Sequence, residues 1–143
     1  MEKTPKFYQC LTCGNIIVKI IDSGVTPKCC ESFMKLLEPK SKEMGLEKHL
    51  PVVTFKAPNT LHIKVGSIEH PMTPEHHIVF LYLEGEHSGK FIWLNDKPEA
   101  DVCVSDGKPL KIYAYCNLHG LWYADAKECK VQSAECKVNK GKC

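Results

Sequence analysis

The chain has 143 residues, 43% of them hydrophobic, with 19 Lys+Arg against 17 Asp+Glu and a formal net charge of +2. That apolar fraction supports a modest core and argues against disorder, and no apolar run is long enough to cross a membrane as a helix. All 19 basic residues are lysine, so the bidentate guanidinium that reads guanine and phosphate is missing, and a strongly basic nucleic-acid surface is excluded.

The first residues, Met1 to Lys6, carry charge with no apolar stretch behind it, so no secretory signal is expected and the cytoplasm is the default location. Nine cysteines in a reducing compartment point to metal ligation or redox chemistry in preference to a disulfide framework. They are unevenly spread. Cys10, Cys13, Cys29 and Cys30 lie in the head of the chain, Cys103 and Cys116 stand apart, and Cys129, Cys136 and Cys143 close it. The seven histidines all fall between His49 and His119. A sulfur-rich head and a histidine-rich body follow from this.

In chain order, residues 1–38 read as short strands and turns, with a β-branched run from Asn15 to Ile21 and a turn at Asp22-Ser23-Gly24. A segment of about 38 residues buries too little surface to stand alone and needs a metal or another staple. Residues 39–47 are polar and read as a linker. The body, residues 48–125, alternates strands and turns. Leu61, Ile63 and Val65 alternate with His62 and Lys64, and further β runs span 77–83, 91–94, 102–104 and 109–115. Short strands at this spacing predict a mainly β chain with a β-sandwich body, and no helical period of useful length is present. The tail, residues 126–143, is lysine-rich, and its three cysteines recur every seven residues. Cys103, in a strand beside Val102 and Val104, is expected to be a buried, inert thiol.

Two constellations carry chemistry. Cys10-x-x-Cys13 with Cys29-Cys30 supplies four thiolates, enough to close a tetrahedron around zinc or iron; adjacent cysteines imply some angular distortion. The second comprises His49 beside Glu47-Lys48, His70 before Pro71, His76, and Cys116-x-x-His119. Four imidazoles and a thiolate exceed a structural zinc site and suit a five-coordinate iron with an open position. His62 and His87 are expected to be ordinary surface residues. Of His76 and His77 only one is expected to reach the site, since successive strand residues face opposite ways.

These motifs together, with Cys116-Asn117-Leu118-His119-Gly120-Leu121-Trp122, resemble the desulfoferrodoxin family, the two-iron superoxide reductases. The resemblance implies a small desulforedoxin-like N-terminal domain followed by an immunoglobulin-like β-sandwich. It implies iron held by Cys10, Cys13, Cys29 and Cys30 as a store or relay of electrons. It also implies a catalytic iron with His49, His70, His76 and His119 as equatorial ligands and Cys116 as axial thiolate. By the same resemblance, Glu47 fills the sixth position in the oxidised resting state, Lys48 is the cation beside the open site, the external donor is rubredoxin or a similar protein, and the assembly is a homodimer. Three features depart from the family pattern: Glu31 where glycine often follows the paired cysteines, His77 where an aromatic residue often follows the third histidine, and the tail cysteines. The rival readings are a zinc-ribbon-type binding module and an electron-transfer protein without catalysis. Neither needs four histidines beside Cys116.

Overall fold

The computed structural model describes residues 5–41, 46–57, 59–104, 109 and 111–126, with the side chains of residues 46 and 47 outside that set. The linker residues 42–45 and the tail beyond residue 126 also lie outside it. The chain divides into two units, Met1–Glu38 and Pro39–Cys143.

In the first unit, β1 (Lys6–Gln9) is the centre of a three-stranded antiparallel sheet between β2 (Ile16–Lys19) and β5 (Lys35–Leu37), and β3 (Lys28–Cys29) and β4 (Ser32–Phe33) form a separate hairpin. The buried interior is small: Tyr8, Cys10 and Met34, with Cys29 packed against them. Ile20, Val25 and Phe33 are left exposed. Asp22, in the loop after β2, clasps the end of the β1–β2 pair away from its turn, accepting from Lys6 Nζ at 2.6 Å and Lys19 Nζ at 2.7 Å.

In the second unit a single helical turn, α1 (Leu46–His49), precedes seven strands: β6 (Pro51–Ala57), β7 (Thr60–Val65), β8 (Ile78–Glu84), β9 (Gly89–Trp93), β10 (Glu99–Cys103), β11 (Lys111–Cys116) and β12 (Gly120–Asp125). They form sheets of order β10-β7-β6 and β12-β11-β8-β9, all neighbours antiparallel. The two inner faces share one core, with Leu61, Ile63 and Val65 from one sheet against Ile78, Leu81, Ile112 and Ala114 from the other. Each of the Leu, Ile and Val side chains, fully buried, contributes about 1.5–3 kcal/mol. Among the described residues this is a sandwich of seven strands in sheets of three and four, the immunoglobulin-like arrangement.

The β7 alternation appears as expected, with Leu61, Ile63 and Val65 inward. β8 does not alternate cleanly. Cys116 pairs with Ile78 while Tyr115 pairs with Phe80, so Val79 is an extra residue in the ladder. The bulge returns Ile78 to the core face and brings the loop before it to the end of β11. Bulges re-aim side chains in this way beside functional sites. The expectation of an inert thiol at Cys103 is corrected: it sits half-buried at the end of β10, an edge strand, and is disulfide-bonded.

Candidate metal centres

The head cysteines converge from two turns. The first is the Cys10–Cys13 knuckle, in which Cys10 N–H donates to Asn15 O at 2.8 Å and Gly14 N–H to Cys10 O at 2.9 Å. Gly14 has φ +83°, a left-handed conformation that a side chain would disfavour. The second is the β3–β4 hairpin. Cys29 pairs with Ser32, leaving Cys30 and Glu31 as a two-residue turn with φ +51° and +63°. Positive φ at both positions is the signature of a type I′ turn, normally built from Asn-Gly. The left-handed turn is what allows neighbouring cysteines to serve one site.

The sulfurs are already at ligand spacing. Cys13 Sγ lies 3.6 Å from Cys29 Sγ, and Cys29 Sγ 4.0 Å from Cys30 Sγ. A tetrahedron with metal–sulfur bonds of about 2.3 Å has edges of about 3.8 Å. Peptide N–H groups favour one thiolate: the Cys13 N–H approaches Cys10 Sγ at 3.4 Å, and Cys10 is drawn down to about 6. Hydrogen bonds to Cys13 and Cys10 push Cys30 up to about 12, and the same contacts raise Cys29. Sulfurs this close set their negative charges against one another, and a cation among them relieves that repulsion.

In the second unit four imidazoles close a ring. Centroid separations are 5.1 Å for His49–His70, 4.6 Å for His70–His76, 4.9 Å for His76–His119 and 4.8 Å for His119–His49, with interplanar angles from 68° to 78°. Neighbouring rings lie edge to face, in the manner of propeller blades. His49 comes from α1, His70 and His76 from the β7–β8 loop, and His119 from the β11–β12 turn, where Gly120 has φ +83°. His49, His76, Cys116 and His119 have donor atoms all within 4.8 Å of one another. His49 Nε2 is 3.2 Å from His119 Nδ1, and Cys116 Sγ is 3.7 Å from that same Nδ1.

Two observations test whether these residues suit a metal. His70 Nε2 and His76 Nε2 are buried with no hydrogen-bond partner, which is costly unless something else accepts their lone pairs. For His70 the other nitrogen, Nδ1, donates to Pro71 O at 2.8 Å, which leaves Nε2 as the lone-pair side. The size also agrees. Cis nitrogens at right angles around a metal, with bonds of about 2.1 Å, are about 3.0 Å apart, close to the 3.2 Å between His49 and His119. The donor set fits.

Electrostatics point the same way. Burial holds the His70 imidazole down at about 4, against the pull of its Pro71 bond, and burial also lowers His76. Both are neutral at pH 7, the form that binds metal. Burial raises the Cys116 thiol, while the N–H groups of His119 and Leu118 pull it back. Lys48 is exposed, and its charge reaches His76. His119 is also exposed, so the site opens toward solvent on that side. Glu47 lies in α1 with its side chain outside the described residues.

The remaining histidines stand apart. His77 Nδ1 bonds Thr73 O at 2.9 Å, His62 Nδ1 pairs with Asp101 at 2.8 Å, and His87 is exposed beside Glu86. Sequence reasoning passed over Trp122 and Lys40. Trp122 Nε1 donates to His119 O at 3.0 Å, and Lys40 Nζ reaches that carbonyl at 3.3 Å. Their only sequence signal was that Trp122 ends the motif begun by Cys116.

Comparison with known proteins agrees with this geometry. The family model described as Desulfoferrodoxin matches residues 41–125. The chain belongs to the desulfoferrodoxin family. A desulfoferrodoxin from Nitratidesulfovibrio vulgaris is 37% identical over 128 residues, covering 88% of this chain and 100% of its own. A desulfoferrodoxin homolog from Archaeoglobus fulgidus is 36% identical over 124 residues, covering 85% and 98%. Among solved structures, the superoxide reductase from Treponema pallidum aligns with TM-score 0.73 at 27% identity, covering 87% of this chain and all of that one.

Proposed function

We propose that this desulfoferrodoxin is a two-iron superoxide reductase, adding one electron and two protons to superoxide to release hydrogen peroxide. The ring of four imidazoles beside the Cys116 sulfur carries this reading. A zinc-ribbon binding module has no use for it, and the family relatives include proteins named superoxide reductase. His49, His70, His76, His119 and Cys116 are assigned to one iron, and Cys10, Cys13, Cys29 and Cys30 to a second that stores or relays an electron. Iron held by four imidazoles and a thiolate supplies a one-electron donor with an open coordination position.

The chain's own residues do the rest. The Pro71 carbonyl fixes the His70 tautomer. The peptide N–H groups of Leu118 and His119 stabilise negative charge on the Cys116 sulfur. Lys48, exposed and within electrostatic reach of His76, raises the local concentration of an anionic substrate. Protons arrive from solvent on the open side, where His119 and Lys48 are exposed. Glu47 would be a further ligand to that iron.

The working division is residues 1–38 for the relay centre, 39–47 as linker, 48–125 for the catalytic centre and 126–143 as tail. The donor is assigned to a rubredoxin-like electron-transport protein and the assembly to a homodimer. The location is assigned to the cytoplasm. Among the described cysteines, Cys103 is disulfide-bonded and the five assigned as metal ligands are not. Among the described residues no helix is long and apolar enough to cross a membrane. Metal analysis with optical spectroscopy tests the assignment. Two irons per chain and thiolate-to-iron colour that a reductant bleaches and superoxide restores are expected. Two zinc ions in a colourless protein grown in iron-rich medium would contradict it.

A further inference from the structure

The β8–β11 ladder ends at the Ile78–Cys116 pair, yet contact between the two strands continues through one residue. Asn117 N–H donates to His77 O at 3.1 Å. Its carboxamide then makes two further bonds: Oδ1 accepts the His77 N–H at 2.8 Å, and Nδ2 donates to Glu75 O at 2.9 Å. These bonds flank His76 on both sides in sequence. Within the loop, Thr73 N–H donates to His76 O at 3.0 Å, His76 N–H to Thr73 O at 3.2 Å, and His77 Nδ1 bonds Thr73 O.

We propose that Asn117 is a positioning residue that sets the distance between the β7–β8 loop, bearing His70 and His76, and the β11–β12 turn, bearing His119 beside Cys116. Asn117 itself touches neither metal nor substrate. Its carboxamide acts as a surrogate peptide group, offering one acceptor and one donor in a plane and extending the ladder by one rung past the bulge. The His76–His119 centroid distance of 4.9 Å is the dimension it holds. Aspartate has the same shape but turns an acceptor toward the Glu75 carbonyl, and alanine removes both bonds.

This inference rests on the metal-site assignment above. Its test uses the full chain loaded with cobalt(II), whose absorption reports ligand geometry, with the four-cysteine site as an internal control. Wild-type protein is expected to bind cobalt at both sites. Asn117→Asp and Asn117→Ala are expected to bind it about 10–100-fold more weakly at the histidine site, with shifted absorption there, and unchanged at the cysteine site. Wild-type affinity and spectrum at the histidine site of Asn117→Asp would overturn the inference. Wild-type protein that takes no cobalt at that site would instead overturn the metal assignment. Amide exchange of metal-free wild-type protein covers the case of variants that fail to fold. The His77 N–H is expected to be protected like a β8 ladder amide, and exchange at the rate of an exposed amide would overturn the inference.

Discussion

His49 lies almost flat on Trp122, with ring centroids 4.6 Å apart and planes 15° from parallel, while the same indole donates its N–H to His119 O. One buried side chain thus fixes two imidazoles that come from opposite ends of the body. Trp122→Phe keeps an aromatic surface but removes the donor, with an expected loss of about 0.5–1.5 kcal/mol of stability and weaker metal retention at the histidine site. Trp122→Ala also leaves a cavity, and an expected loss of about 3–5 kcal/mol. Denaturant melts and chelator competition measure both. Equal metal affinity in wild type and Trp122→Phe would show that the indole N–H does not position His119.

Glu31 stands at φ +63° in the hairpin that carries Cys29 and Cys30. A side chain in that conformation costs about 1–2 kcal/mol, which glycine largely avoids. Glu31→Gly is expected to stabilise the head by about 0.5–1 kcal/mol without altering the four sulfurs, read as a higher guanidinium midpoint for loss of the head metal. A lower midpoint would mean that Glu31 makes a compensating contact.

Much of this architecture was legible in sequence because it depends on local patterns. The β7 alternation, the turn at Asp22-Ser23-Gly24 and the Cys10-x-x-Cys13 spacing each report on backbone geometry within a few residues. What escaped was set by partners distant in sequence. The extra residue at Val79 exists only relative to Cys116. The Trp122 stack depends on His49, 73 positions earlier in the chain, and Asn117 matters through its bonds to Glu75 and His77. β6 and β12 were not resolved as strands, their apolar residues being embedded in proline-led and motif sequence. The paired cysteines forecast an awkward geometry, but the left-handed turn that accommodates them is a backbone property that Cys-Glu does not announce. Cys103 looked inert because alternation places it in a strand, and alternation does not reveal that the strand is an edge.

Lys48 is exposed and its field extends to His76. An ammonium at the entrance accelerates capture of an anion, and salt screens the effect. Lys48→Ala is expected to slow the second-order reaction with superoxide by about tenfold and to flatten its ionic-strength dependence, measured by pulse radiolysis. An unchanged rate constant at low salt would remove Lys48 from the mechanism.

Hydrogen bonds from Lys19 and then Lys6 hold the Asp22 carboxyl far below the ordinary carboxylate range. A depressed carboxylate contributes stability above its unfolded value near 3.9 that is lost as pH falls through and below that value. Asp22→Asn is therefore expected to weaken the head at pH 7 and to flatten its stability profile between about pH 5 and 3. Melts of zinc-loaded wild type and variant across that range measure it. Parallel profiles would show that Asp22 does not govern the acid response.

The yield of hydrogen peroxide per superoxide consumed, with a reductant supplied and no dismutase present, bears most directly on the assigned activity. A reductase releases one peroxide for each superoxide, and that ratio is the expected result. A ratio of one peroxide for every two superoxides, unchanged when the reductant is omitted, would contradict it and make the iron centre a dismutase.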